Sequence, residues 1–124
     1  MPLHNRRERD IAIVEASGRY DVAELRAAFE ASLGPTEGRP ARGLILDVSA
    51  SEALADRSAQ DVRAMAYFVA SLGDRFERRF AIIAPMDLAF GLMRLGSVVT
   101  ESEGVVTRVF RDRESAIAWL APDA

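Results

Sequence analysis

Gly43-Leu44-Ile45-Leu46-Asp47-Val48-Ser49 is the stretch from which the fold is read. Its run at 44–48 does not alternate apolar with polar residues, so the strand it forms is expected to be buried on both faces. A polar turn follows, carrying Ser51, Asp56 and Ser58, and then an amphipathic segment at 59–72. Val62, Met65, Ala66, Val69 and Leu72 recur there on one stripe at helical spacing. Strand, polar turn and helix N-terminus is where open α/β sheets gather working groups, because free N–H groups and the positive end of the helix dipole collect there. The candidate site is therefore Asp47, Ser49, Ser51, Asp56, Arg57 and Ser58. Tyr67 joins it, since it projects about 160° from the apolar stripe and faces outward beside Arg63 and Ser71.

The same reading extends to both sides. Leu3 to Arg9 reads as a short edge strand, and 11–17 as a strand with β-branched residues at 11, 13 and 14, closed by Gly18. Asp21 is placed to cap a helix carrying Val22, Leu25, Phe29 and Leu33, with Gly34-Pro35 as its stop and 36–42 as a loop. Gly73-Asp74 ends the next helix, and 80–84 is a second continuous apolar strand broken by Pro85. Asp87 is expected to cap a shorter helix with Leu88, Leu92 and Leu95 inward, closed by Gly96. This helix is apolar almost all round, so core packing is the default reading; Phe90 and Met93 point off the stripe and, with Met86, are the candidates for an apolar ligand or dimer surface. A strand at 105–110 and a helix starting at Asp112, with Ala116, Ile117 and Leu120 inward, complete the chain. Alternating strands and helices predict α/β architecture: right-handed crossovers and a mostly parallel sheet of four to five strands with helices packed around it.

Composition narrows the function. The 124 residues read as one domain, 1–124, of ordinary soluble composition, with 49% hydrophobic and 28% charged residues. A net charge of −3, with scattered arginines as the only strong bases, gives no field to hold nucleic acid or an anionic membrane. Without cysteine there is no disulfide framework, thiolate metal site or cysteine nucleophile, and a reducing cytoplasm is the expected location. The longest apolar runs, such as 64–70, fall far short of the roughly 20 residues that span a bilayer, so no transmembrane segment is expected. His4 is the sole histidine and lies near the terminus, which argues against a metal site or triad built on it. Glycine-rich phosphate loops are missing, so no cofactor is expected. Arg75, Arg78 and Arg79 form a small basic knot, read as a solvated loop or an anion contact.

Several stretches resemble STAS domains, the family of bacterial anti-sigma-factor antagonists with a SpoIIAA-like fold. Ser17-Gly18-Arg19-Tyr20-Asp21 is similar to the G-x-x-D element after their second strand, and Leu44-Ile45-Leu46-Asp47-Val48 to their central strand. Ala84-Pro85 resembles the start of their last crossover. Val109-Phe110 with Ser115-Ala116-Ile117-Ala118-Trp119-Leu120 resembles the closing strand and helix, especially of a divergent bacterial branch grouped with lipid-transfer domains. The family carries a phosphorylatable serine in an Asp-Ser-Ser-Gly turn. Here Asp56-Arg57-Ser58-Ala59 is the nearest match, with Arg57 at the acceptor position and Ser58 as a displaced candidate.

Ser58 with Asp61 also reads as a capping box, in which the serine is simply an N-cap; the alternative is a regulatory phosphosite. Asp47 reads as a hydrogen-bonded structural carboxylate, with a general base or metal ligand as the alternative. The resemblance implies a non-enzymatic regulatory module that binds a protein partner such as a regulatory kinase or anti-sigma factor. The rival reading is a carrier or sensor of an apolar, lipid-like ligand held between helix 86–95 and the sheet. Exposed apolar helix surface also leaves room for a homodimer.

Overall fold

The computed structural model describes residues 3–34, 39–53 and 57–122. Its elements are β1 (Leu3–Glu8), β2 (Ile11–Gly18), α1 (Val22–Leu33), β3 (Gly43–Ser51), α2 (Ala59–Ser71), β4 (Arg79–Ile83), α3 (Asp87–Ser102), β5 (Val106–Phe110) and α4 (Arg113–Leu120). The strands form one sheet in sequential order, β1 to β5. β2 through β5 pair in parallel and β1 pairs antiparallel with β2. This is the mostly parallel α/β sheet expected, at five strands.

A sheet that advances in one direction through right-handed crossovers must place every crossover helix on the same face. α1, α2 and α3 do so, and their apolar residues join Val14, Leu44, Leu46, Phe80 and Ile82 in the larger core. α4 crosses the other face, where Ala116, Ile117 and Leu120 pack on Ile11, Ile13, Ile45 and Ile83. Alternate residues of β2, β3 and β4 thus enter different cores, which is why the central strands read as unbroken apolar runs.

Local chemistry starts the helices. Asp21 accepts from the Glu24 N–H at 2.7 Å while Glu24 reaches back to the Asp21 N–H at 3.0 Å. Ser58 and Asp61 make the same reciprocal pair for α2, and Asp112 accepts from the Ser115 N–H at 2.8 Å. Each such cap is worth about 1 kcal/mol. Gly34, at φ 68°, ends α1 in a conformation that costs other residues more. Arg9 and Asp10 turn β1 into β2 with φ of 51° and 65°, the two left-handed residues a tight hairpin of correct twist requires. Asp10 anchors that turn by ion pairs to Arg7 and Arg39.

Four expectations about the helix after Pro85 are corrected. The helix after Pro85 is not closed by Gly96; it runs to Ser102, with Met86 rather than Asp87 at the cap position. Gly96 is buried inside it, where a Cβ would lie 3.2 Å from Val62 Cγ1. The glycine therefore lets α3 approach α2 closely instead of ending it. The inward stripe of α3 is Ala89, Met93, Gly96, Val99 and Thr100, with Leu92 and Leu95 on its flanks. Met93 is accordingly 7% exposed and belongs to the core rather than to an outer surface. Asp56, Pro35, residues 36–38 of the anticipated loop and the side chain of Leu88 lie outside the described residues.

Candidate functional site

The connection from β3 to α2 divides into two clusters on opposite faces of the sheet. Asp47 shares the face of Ile45 and points toward α4, as does Glu15, its register partner on β2. Arg113, the first residue of α4, bridges them. It donates to Glu15 and, at 3.0 Å, to Asp47. The Ser49 N–H donates to Asp47 at 2.9 Å, and the Ser49 hydroxyl binds the same carboxylate oxygen.

Burial opposes ionisation of Asp47, but donation from Ser49 and Arg113 outweighs it and holds the carboxyl below its ordinary value. The bond to Glu15, reinforced by Asp47, raises the Arg113 guanidinium despite its partial desolvation. Asp47 and Ser49 are thus committed to a network that ties α4 to the ends of two strands.

The second cluster lies on the three-helix face. Ser51 shares a 2.7 Å hydrogen bond with the Tyr20 hydroxyl. Arg57 donates to the Tyr20 carbonyl and lies 5.6 Å from the centre of the Tyr20 ring. Ser58 Oγ accepts from the Asp61 N–H at 3.0 Å as the N-cap of α2.

Beneath these residues is an apolar cavity of about 60 Å³, floored by Leu46, Val48, Phe80 and Ile82 and walled by all three helices. Most of its lining is buried. Val22, Arg57, Asp61 and Met65 reach solvent and ring its mouth. Sequence reasoning missed Tyr20, Glu15 and Arg113. Arg113 stands 98 residues from Glu15 and 66 from Asp47, so no local spacing exposes their contact.

The outer face of α2 completes the picture. Ala59, Gln60, Arg63, Ala64, Tyr67 and Ser71 are its exposed residues, and Arg63 is the sole charge among them. Tyr67 is 54% exposed, as its position off the apolar stripe requires.

Elsewhere, Met86 is exposed at the start of α3, and Phe90 is half-buried beneath Arg111, whose guanidinium lies 4.0 Å from the ring centre. The basic knot is dispersed into the scaffold. Arg75 donates to the Gly34 carbonyl, Arg78 pairs with Asp74, and Arg79 donates to the Trp119 carbonyl while lying over its ring.

The one-way strand order has a chemical consequence. Dinucleotide and related sites in open α/β sheets form in the crevice where strand order reverses and neighbouring crossover helices part to opposite faces. This sheet has no such reversal. The strand ends named as a generic working address carry the Glu15–Arg113–Asp47 network instead. Among the described residues no three His, Asp or Glu side chains converge as a metal site requires, and no helix is long and apolar enough to cross a membrane.

No protein-family model matches the chain, and neither does any curated protein. Among solved structures, it is similar to an uncharacterized protein of the DUF3478 family from Shewanella loihica PV-4, described as having a SpoIIAA-like fold. The TM-score is 0.61 at 21% identity, over 95% of this chain and 91% of that one. Sequential strand order, three crossover helices on one face and a closing helix on the other are therefore the SpoIIAA-like, STAS-like arrangement of an α/β chain.

Proposed function

We propose that this chain is a non-enzymatic, single-domain protein-interaction module, used in the manner of an anti-sigma-factor antagonist. Its contact surface is the first turn and outer face of α2, around Arg57, Ser58, Arg63 and Tyr67. One observation carries this reading: an exposed helix face with a single charge and a half-exposed tyrosine, in a chain that is 28% charged. Depletion of charge around Tyr and Arg distinguishes interface cores from ordinary surface.

The contact is constitutive. Arg57 fills the place of the phosphorylatable serine, and its guanidinium is engaged by Tyr20. Phosphorylation of Ser58 would put a dianion beside Asp61 and remove the cap hydroxyl from its present role. The partner is a protein, such as a kinase or anti-sigma factor, in a reducing cytoplasm. Homodimerisation through exposed apolar residues such as Met86 is a separate expectation, which light scattering decides.

The carrier reading has less support. A cavity of about 60 Å³ is well below the roughly 300 Å³ at which small-molecule pockets begin, and Met93 forms its wall rather than a separate surface. A pull-down from the native host tests the proposal. Wild-type protein should retain a partner that Arg63→Glu with Tyr67→Ala loses. A lipid-sized mass retained in native mass spectrometry, with no protein recovered, would contradict it.

A further inference from the structure

Resting on the contact-surface reading, we propose that the cavity between the N-terminal turns of α1 and α2 is a socket for one aliphatic side chain of the protein partner. The occupant is Leu, Ile or Met, flanked in the partner by Lys or Arg. Three observations lead there.

The first is size. About 60 Å³ holds about four to six heavy atoms, at roughly 10–15 Å³ for each water-sized group. That matches one aliphatic side chain. A free ligand of about four to six atoms, gaining at best about tenfold in affinity per atom, would bind no tighter than about 0.1 mM to 1 μM. The same atoms on a protein segment act as an anchor within a larger contact.

The second is lining. The floor and walls are apolar, and the two buried hydroxyl residues among the lining are already bonded, Thr100 to Thr107 at 2.6 Å and Tyr20 to Ser51 at 2.7 Å. Nothing deep in the cavity asks for a polar group.

The third is the rim. Asp61 stands at the mouth, with Asp21 and Glu24 exposed at the start of α1 beside Val22. Arg57 keeps its positive charge while bonded to the Tyr20 carbonyl, but the three carboxylates outnumber it, so the rim is net negative and favours a cationic neighbour to the anchor. The mouth also adjoins the charge-poor face of α2, so one partner segment can fill the socket and cover Tyr67.

The test uses the whole chain and a random peptide library. Peptides selected on the protein should carry Leu, Ile or Met beside Lys or Arg. Titrated into methyl-labelled protein, they should shift the methyl signals of Val22, Leu25, Val62 and Val69 but not those of Ile11 and Ile45 on the other face. Ala66→Leu, which fills the cavity, should weaken binding at least tenfold, and the methyl shifts give an answer even where that variant folds poorly. Peptides lost in Tyr67→Ala but indifferent to Ala66→Leu, with no cavity methyl shifted, overturn the socket and leave the contact surface standing. Failure to enrich peptides, or peptides indifferent to both variants, overturns both. A small apolar molecule found in the cavity by native mass spectrometry overturns the socket.

Discussion

Asp47 and Arg57 stand at the two ends of one strand-to-helix connection, yet the fold sends them to opposite faces of the sheet. Asp47 closes a charge network with Ser49, Arg113 and, through it, Glu15. Arg57 leans over Tyr20 at the mouth of an open apolar cavity. Polar groups that satisfy one another leave little for a partner to gain. An apolar cavity beside a charge-poor helix face leaves a surface whose burial is worth about 25 cal/mol per Å². The first region holds the fold together; the second is where we propose that a partner binds.

Breaking the closed side should have the largest effect on stability. Arg113→Ala leaves two carboxylates facing each other, with Asp47 only 15% exposed. Urea unfolding should show a loss of about 2 kcal/mol, less than for a fully buried pair because Arg113 and Glu15 are partly solvated. Arg57→Ala should cost under about 1 kcal/mol, since the group is half-exposed and at the rim.

Acid sharpens the same contrast. The Asp47 pKa is lowered in the folded chain, so its contribution is fully present above the ordinary carboxylate value and is lost as pH falls through the lower folded value. Stability should therefore drop below roughly pH 4. Arg113→Met should flatten that drop in acid-titrated unfolding, whereas Arg57→Met should leave it unchanged.

The α2–α3 contact gives a smaller test. Gly96→Ala gains helix propensity but presses on Val62 at 3.2 Å, and should destabilise by about 1 kcal/mol. Gly91→Ala, which meets nothing within 4 Å, should stabilise by up to about 1 kcal/mol. Equal effects in thermal unfolding would contradict the close approach at Gly96. Smallest of all, Tyr67→Ala should change stability by less than about 0.5 kcal/mol while removing the proposed contact.

The contrast also explains what was legible in the chain. Strands and helix starts were readable because their causes are local: apolar runs at 44–46 and 80–84, and carboxylate or hydroxyl caps at Asp21, Ser58 and Asp112. Gly96 misled because its cause is tertiary. Alone it reads as a stop, and only the position of Val62 on another helix makes it a packing residue. The site divided for the same reason. Asp47, Ser49, Ser51, Arg57 and Ser58 are neighbours in sequence, but a register shift between β2 and β3, where Glu15 pairs with Asp47 and Ser17 with Ala50, turns Ser51 to the other face and separates the residues that meet Arg113 from those that meet Tyr20.

We propose that the outer face of α2, and not the α4 face, meets a protein partner. Photocrosslinking in native host cells tests it most directly, with the crosslinking residue placed at Tyr67 or, on the exposed side of α4, at Ala118. One discrete protein adduct is expected from position 67 and none from position 118. An adduct from 118 with none from 67 would contradict it.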